Sequence, residues 1–206
     1  SITFASIDEA TAALRRDAIL AKGPKLTISA SKASPKATAP KATAPKAGES
    51  AVVYHGGKGR VELTPEKLTD GLGTHVGTEK AGIERLRNLA ERGEDVSKHR
   101  VLAYEVTYTK PLDIGEDLGV WTADKLGKRL VQLGVLTETQ IKKILQKEVV
   151  DRVKVGAIRK LLLDKDIDAL SYINKAEDAG SRSSIVLDPE KSLVVVRGQA
   201  KTRNIQ

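Results

Sequence analysis

The chain has 206 residues, 40% hydrophobic and 30% charged, which suits a folded domain with an extra segment rather than a wholly disordered chain. It contains no Cys, so disulfides, thiolate metal sites and cysteine nucleophiles are excluded, and its three His show no metal-ligand spacing. A net charge of +8 favours contact with phosphates or other polyanions, and no apolar run reaches the ~18 residues of a membrane span.

Residues 6–22, SIDEATAALRRDAILAK, predict a short helix with Ser6 and Glu9 as a capping box and Gly23-Pro24 as its stop. In the segment that follows, Pro35, Pro40 and Pro45 recur every five residues, each followed by Lys and Ala. Such a stretch buries too little apolar area to offset its ordering entropy, so 23–50 is expected to be an extended basic linker. Residues 1–22 are then an anchor for a neighbour, 51–198 the main domain and 199–206 a tail. The chain begins at Ser1 and has no Met, so it is expected to be a processed product or a piece of a longer polypeptide.

Val52–His55 predicts a strand ending in the glycines Gly56, Gly57 and Gly59. Thr64-Pro65 predicts a brief helical turn. The run 70–77 is a turn leading to a short strand around His75, and Thr78 caps a helix with Ile83, Leu86, Leu89 and Ala90 on one face. Residues 101–108, VLAYEVTY, alternate as a strand that Pro111 to Ile114 leaves. Thr122 caps another helix, stopped by Gly134. Thr137 and Gln140 form a capping box opening a helical stretch to Leu163, with a break expected near Gly156. Ile167–Ile173 and Ser183–Asp188 predict strands flanking a polar loop, and Ser192–Arg197 a last strand. Helices interrupt the strands irregularly, which points to an α+β fold.

Each of His55 and His75 sits beside glycines at a strand end, where backbone can approach a ligand closely. The loop 174–181 carries a carboxylate pair, of which Glu177 is the acid to examine first. GGKG at 56–59 is not a P-loop, because the GxxxxGK[ST] spacing and the following helix are missing. The region 137–163 has a helix-turn-helix flavour, but its apolar residues read as core.

Three stretches in order, VYHGG, GLGTHVGT before a helix, and SRSSIVLDPEK, resemble the three segments of ADP-ribosyltransferases related to diphtheria toxin and the poly(ADP-ribose) polymerases. The text YEVTYTKPLDIGEDLGVWTADKLGKRLVQLGVLTETQI, followed by IDALSYINKAEDAGSRSSIVLDPEKSL, is similar to ADP-ribosyltransferase-like domains of polyvalent proteins from phages and mobile elements. The resemblance covers 51–195. It implies split mixed and antiparallel sheets with flanking helices, and NAD as substrate. It implies that His55 holds the NAD ribose, that backbone at Gly56 grips the nicotinamide amide, and that His75 flanks the nicotinamide. Ser183 stands where the family has its catalytic Glu, which leaves Glu177, a few residues earlier, as the acid.

Two functions follow as expectations. One is transfer of ADP-ribose to a host protein or nucleic acid. The other is a non-catalytic virion or internal-head component whose arm, 1–50, contacts virion subunits or DNA without sequence preference. Either would place the chain in the virion or the host cytoplasm.

Overall fold

A computed structural model describes residues 44–58, 71–148 and 150–196. The expected N-terminal helix, most of the linker, the helical turn at Thr64-Pro65 and the tail lie outside the described residues. The described residues belong to a unit spanning Ala39–Gln206.

The fold is α+β. Its elements in order are β1 (Ser50–Lys58), β2 (Thr74–Val76), α1 (Glu79–Glu91), β3 (His99–Thr107), β4 (Pro111–Glu116), α2 (Ala123–Gln132), α3 (Glu138–Lys147), α4 (Asp151–Leu163), β5 (Ala169–Ile173), β6 (Arg182–Val186), α5 (Pro189–Ser192) and β7 (Leu193–Val195). They build two sheets, an antiparallel one ordered β1-β3-β7 and a mixed one ordered β2-β6-β5-β4. In the second, β4 and β5 run parallel, a pairing that needs a crossover connection, here supplied by three helices.

The three threonine caps sit where the sequence puts them. Thr78 Oγ1 accepts from the Ala81 amide at 3.1 Å, Thr122 from Lys125 at 3.4 Å, and Thr137 exchanges both capping-box bonds with Gln140. Three details differ from expectation. Strand β1 does not end at His55: it runs through Gly56 and Gly57 to Lys58, paired with Val101, Arg100 and His99, because glycine in an extended conformation keeps the ladder going. Pro111–Glu116 forms a strand of its own, an edge strand whose first residue is the proline, a place where its missing N–H costs no ladder bond. The helical break falls between Lys147 and Asp151, not at Gly156, which is buried inside α4. There Asp151 accepts the Ala123 amide at 3.1 Å, tying the start of α4 to the start of α2.

Strand alternation divides the core in two. Leu170, Tyr172 and Ile185 face the helices, where Ile114, Leu126, Leu130, Ile158 and Leu162 are buried. Each such Leu or Ile contributes about 1.5–3 kcal/mol by leaving water. Ala169 and Val186 face the other sheet and meet Val53, Tyr104, Val106 and Tyr108. Ser171 and Ser184 share that face, and Tyr108 donates to Ser184 Oγ at 3.3 Å.

The sheets are stitched at one end. Tyr54 and Gly77 exchange backbone hydrogen bonds of 2.9 and 3.0 Å, joining β1 to the end of β2. Helix α1 packs on β1 with glycine against glycine, Gly82 facing Gly56. Among the described residues no helix is long and apolar enough to cross a membrane.

Candidate functional site

The stitch between the sheets brings the two glycine-flanked histidines together. His55 shares the parity of Val53 and so points to the inter-sheet side, three residues before the end of β1. Its Nδ1 lies 2.8 Å from the carbonyl oxygen of His75. A carbonyl only accepts, so Nδ1 carries the proton and Nε2 keeps a lone pair. Nε2 lies over Gly57, where an added Cβ would stand 2.6 Å from it and would push the imidazole aside. Gly56 is buried opposite Val101 in the ladder, against α1.

His75 is turned the other way, into the helix-facing side of its sheet. Its Nδ1 is 3.1 Å from the Tyr172 hydroxyl. Its ring meets Trp121 edge-on at 5.6 Å, and Trp121 meets Tyr172 at 5.0 Å. Such edge-to-face pairs are favourable and orient all three rings. The Trp121 indole N–H donates to Asp117 at 3.2 Å.

Electrostatics follow the geometry. Burial pushes the His75 pKa down to about 4, and the nearby Arg85 guanidinium adds to the shift, so this imidazole is neutral at pH 7. Burial lowers His55 as well, partly opposed by its bond to the His75 carbonyl. Burial raises the Tyr172 hydroxyl far above its ordinary value, helped by Asp117 and Glu177.

Glu177 arrives through the loop between β5 and β6. Asn174, only 2% exposed, organises it: its Oδ1 accepts the amides of Ala176 and Glu177 at 3.0 and 2.9 Å, and its Nδ2 donates to Ser183 Oγ at 3.0 Å. Asp178 adopts φ of +51°, a left-handed conformation that Asp tolerates. Its carboxylate accepts from Thr78 Oγ1 at 2.7 Å and Lys80 Nζ at 2.8 Å, and its amide donates to Glu84. This latch fastens the loop to the first turns of α1. Glu177 then stands 3.7 Å from Arg85, the cation that acts on both imidazoles.

Ser183 is 4% exposed and packed beneath Gly77, where an added Cβ would come within 2.6 Å of its hydroxyl. It bonds to Asn174 and Tyr172. It is therefore a buried hydrogen-bond hub that joins the loop to the aromatic cluster.

The structure thus brings the His55 ring to the backbone of His75 and the Glu177 loop to Arg85, while the two imidazoles face opposite sides, His75 joining a cluster with Trp121 and Tyr172 that the Asn174-held loop borders. Sequence reasoning missed Arg85, Trp121, Tyr172 and Asn174. The one available signal was rarity: the chain has a single Trp and few other aromatics, yet Trp121 and Tyr172 lie in one cluster.

An open groove of about 590 Å³ lies elsewhere, lined by Glu105, Thr107, Asp166, Asp168 and Val194 among others, and none of His55, His75 and Glu177 borders it. Two of its carboxylates have structural work: Asp168 accepts the Lys110 amide at 2.9 Å, and Asp188 pairs with Lys191 at 2.9 Å. Among the described residues no group of three or more His, Asp and Glu could hold a metal ion. No protein-family model, no curated protein and no solved structure matches the chain.

Proposed function

We propose that this chain is an ADP-ribosyltransferase-like protein of a phage or mobile element, binding NAD where the two sheets are stitched and transferring ADP-ribose to a host macromolecule. The observation that carries this reading is convergence of three segments far apart in sequence: the His55 ring bonds the His75 carbonyl, and Glu177 stands 3.7 Å from Arg85, whose charge acts on both imidazoles.

The residues divide the work. His55, with Nδ1 committed to the His75 carbonyl, offers Nε2 as an acceptor for a ribose hydroxyl. Backbone at Gly56 lies next to it for the nicotinamide amide. His75, Trp121 and Tyr172 form the aromatic wall flanking the nicotinamide. In the reaction, the glycosidic bond to nicotinamide breaks and its electron pair leaves with nicotinamide. The anomeric carbon becomes electron-poor, and Glu177 stabilises it and orients the ribose. The acceptor's nucleophile forms the new bond to that carbon and releases its proton to solvent.

Incubation with labelled NAD and bacterial lysate tests this. Label should appear on a macromolecule, and Glu177→Gln should slow its appearance by about 100-fold, the usual cost of one lost electrostatic contact in a transition state. No transfer by the intact chain would remove the enzyme reading.

Ser183 favours a second reading. Buried and held by Asn174, it supplies no charge where the resemblance puts a catalytic Glu. On that reading the domain is an inert module of the virion or internal head, and its Pro-Lys-Ala arm holds DNA or a neighbouring subunit. Removing residues 1–50 would then abolish assembly or DNA retention, while His55→Ala would change neither.

A further inference from the structure

The three helices between β4 and β5 hold a feature that the NAD-binding reading does not use. Ala123–Leu163 contains ten Lys and Arg against four Asp and Glu, an excess of six out of the chain's net +8. One fifth of the chain therefore carries a local net charge of about +6, although it holds only ten of the 35 Lys and Arg.

The charge is arranged. Helices α2, α3 and α4 each touch the other two, and their apolar residues are spent on a shared core. On α3, Ile141 is buried and Ile144 and Leu145 pack against that core. At 100° per residue, the opposite side then carries Thr139, Lys142, Lys143, Gln146 and Lys147, and all five are exposed. That side has no acid and no apolar side chain. Glu138 and Gln140 lie on the flanks. Lys147 reaches only Glu148, at 3.9 Å, and no carboxylate of the described residues pairs with Lys142 or Lys143. Gly127 of α2 permits close packing of the pair, since a Cβ there would meet Ile141 at 2.6 Å.

We propose that the outer face of α3 is a binding surface for duplex DNA, engaging its phosphates without strong sequence preference. Three observations select this occupant. Lys, Gln and Thr are donor side chains of the kind that hold phosphate oxygens. An acidic protein partner would call for apolar or aromatic residues at the centre of the patch and few lysines, and this face has the reverse. A helix of ten residues is about 15 Å long and its width suits the B-form major groove, whereas the deep, narrow groove of duplex RNA excludes it. The surface is independent of the His55 region and stands whether or not the chain is a transferase.

The test uses the full chain and a short fluorescent DNA duplex of arbitrary sequence, titrated between about 50 and 200 mM salt. The triple variant Lys142→Gln/Lys143→Gln/Lys147→Gln changes only exposed positions, and its thermal melt reports that it is folded. Each phosphate contact contributes about 0.9 to the slope of log affinity against log salt, so three lost contacts should make it shallower by about 2.7. Over that fourfold salt range the wild type should lose about 40-fold more affinity than the variant. A second variant replaces Lys32, Lys36, Lys41 and Lys46 of the Pro-Lys-Ala stretch with Gln, because a basic arm also binds DNA. If it removes the whole salt slope while the α3 variant keeps the wild-type slope, the proposal is overturned. It also fails if polyglutamate displaces DNA from α3 at lower concentration than unlabelled duplex does, since the face would then prefer an acidic chain. Persistence of the α3-dependent slope in the arm variant supports it.

Discussion

Substituting Gly56 by Ala adds one methyl group where α1 crosses β1. The new Cβ would lie against the carbonyl oxygen of Gly82, well inside van der Waals contact, and 3.2 Å from its carbon. Both obstructing atoms are backbone, so no side-chain rotation relieves the clash. Strand β1 cannot bend away easily, because it is registered with β3 from Ser50 to Lys58 and pinned by the Tyr54–Gly77 bridge. Helix α1 must move instead. Overpacking of this kind costs about 1–3 kcal/mol, and a rigid obstacle places it at the upper end. Replacing a strand glycine returns about 0.5–1 kcal/mol of backbone entropy. The net loss is about 2 kcal/mol, a fall in Tm of roughly 4–8 °C for a chain of this size. Gly82→Ala is the control. Its Cβ would meet Val101 Cγ1 at 2.9 Å, but that is a side chain that can shift, and Ala gains about 1 kcal/mol over Gly within a helix. Guanidinium melts read both variants, a lowered midpoint at unchanged slope being the expected signature for Gly56→Ala. Wild-type stability for Gly56→Ala, or greater damage from Gly82→Ala, would refute the packing argument.

The His75 imidazole makes stability depend on acid. Its folded pKa of about 4 lies below the unfolded 6.5, so the unfolded chain takes the proton first. Stability is full above pH 6.5 and falls towards pH 4, by at most about 3 kcal/mol. Urea melts of wild type and His75→Gln across that window should converge as pH falls. Asp178→Ala removes the acceptor for Thr78 and Lys80 and forces Ala into a left-handed conformation. A loss of about 1–2 kcal/mol is expected, with faster amide exchange at Gly180 and Ser181, whose N–H bonds close the loop.

Much of the fold was legible because local chemistry and tertiary packing agree. The Thr78, Thr122 and Thr137 caps mark helix starts that the structure keeps, and the alternation of Leu102 to Tyr108 marks a strand that the structure places at His99–Thr107. Pro111–Glu116 was not legible as a strand, since its pairing partner β5 lies far along the chain and proline argues against a strand interior. Gly156 looked like a break because glycine weakens isolated helices, but burial in the three-helix core overrides propensity there. Within the site, His55 and His75 were visible through their neighbouring glycines. Arg85 was hidden among the alternating charges of α1, and Trp121 sits before a helix with no motif around it. Their meeting depends on the Tyr54–Gly77 stitch and the Asp178 latch, contacts that no spacing encodes.

Trp121 is the only tryptophan in the chain and lies against His75 and Tyr172, so its fluorescence reports on the proposed NAD site directly. Titration of the intact protein with NAD should quench or shift this emission saturably, and His55→Ala should weaken the response at least tenfold while a cooperative thermal melt shows the variant still folded at the assay temperature. Emission that stays unchanged up to millimolar NAD in the folded protein, or a response that His55→Ala leaves untouched, would contradict the claim that these segments converge on a dinucleotide.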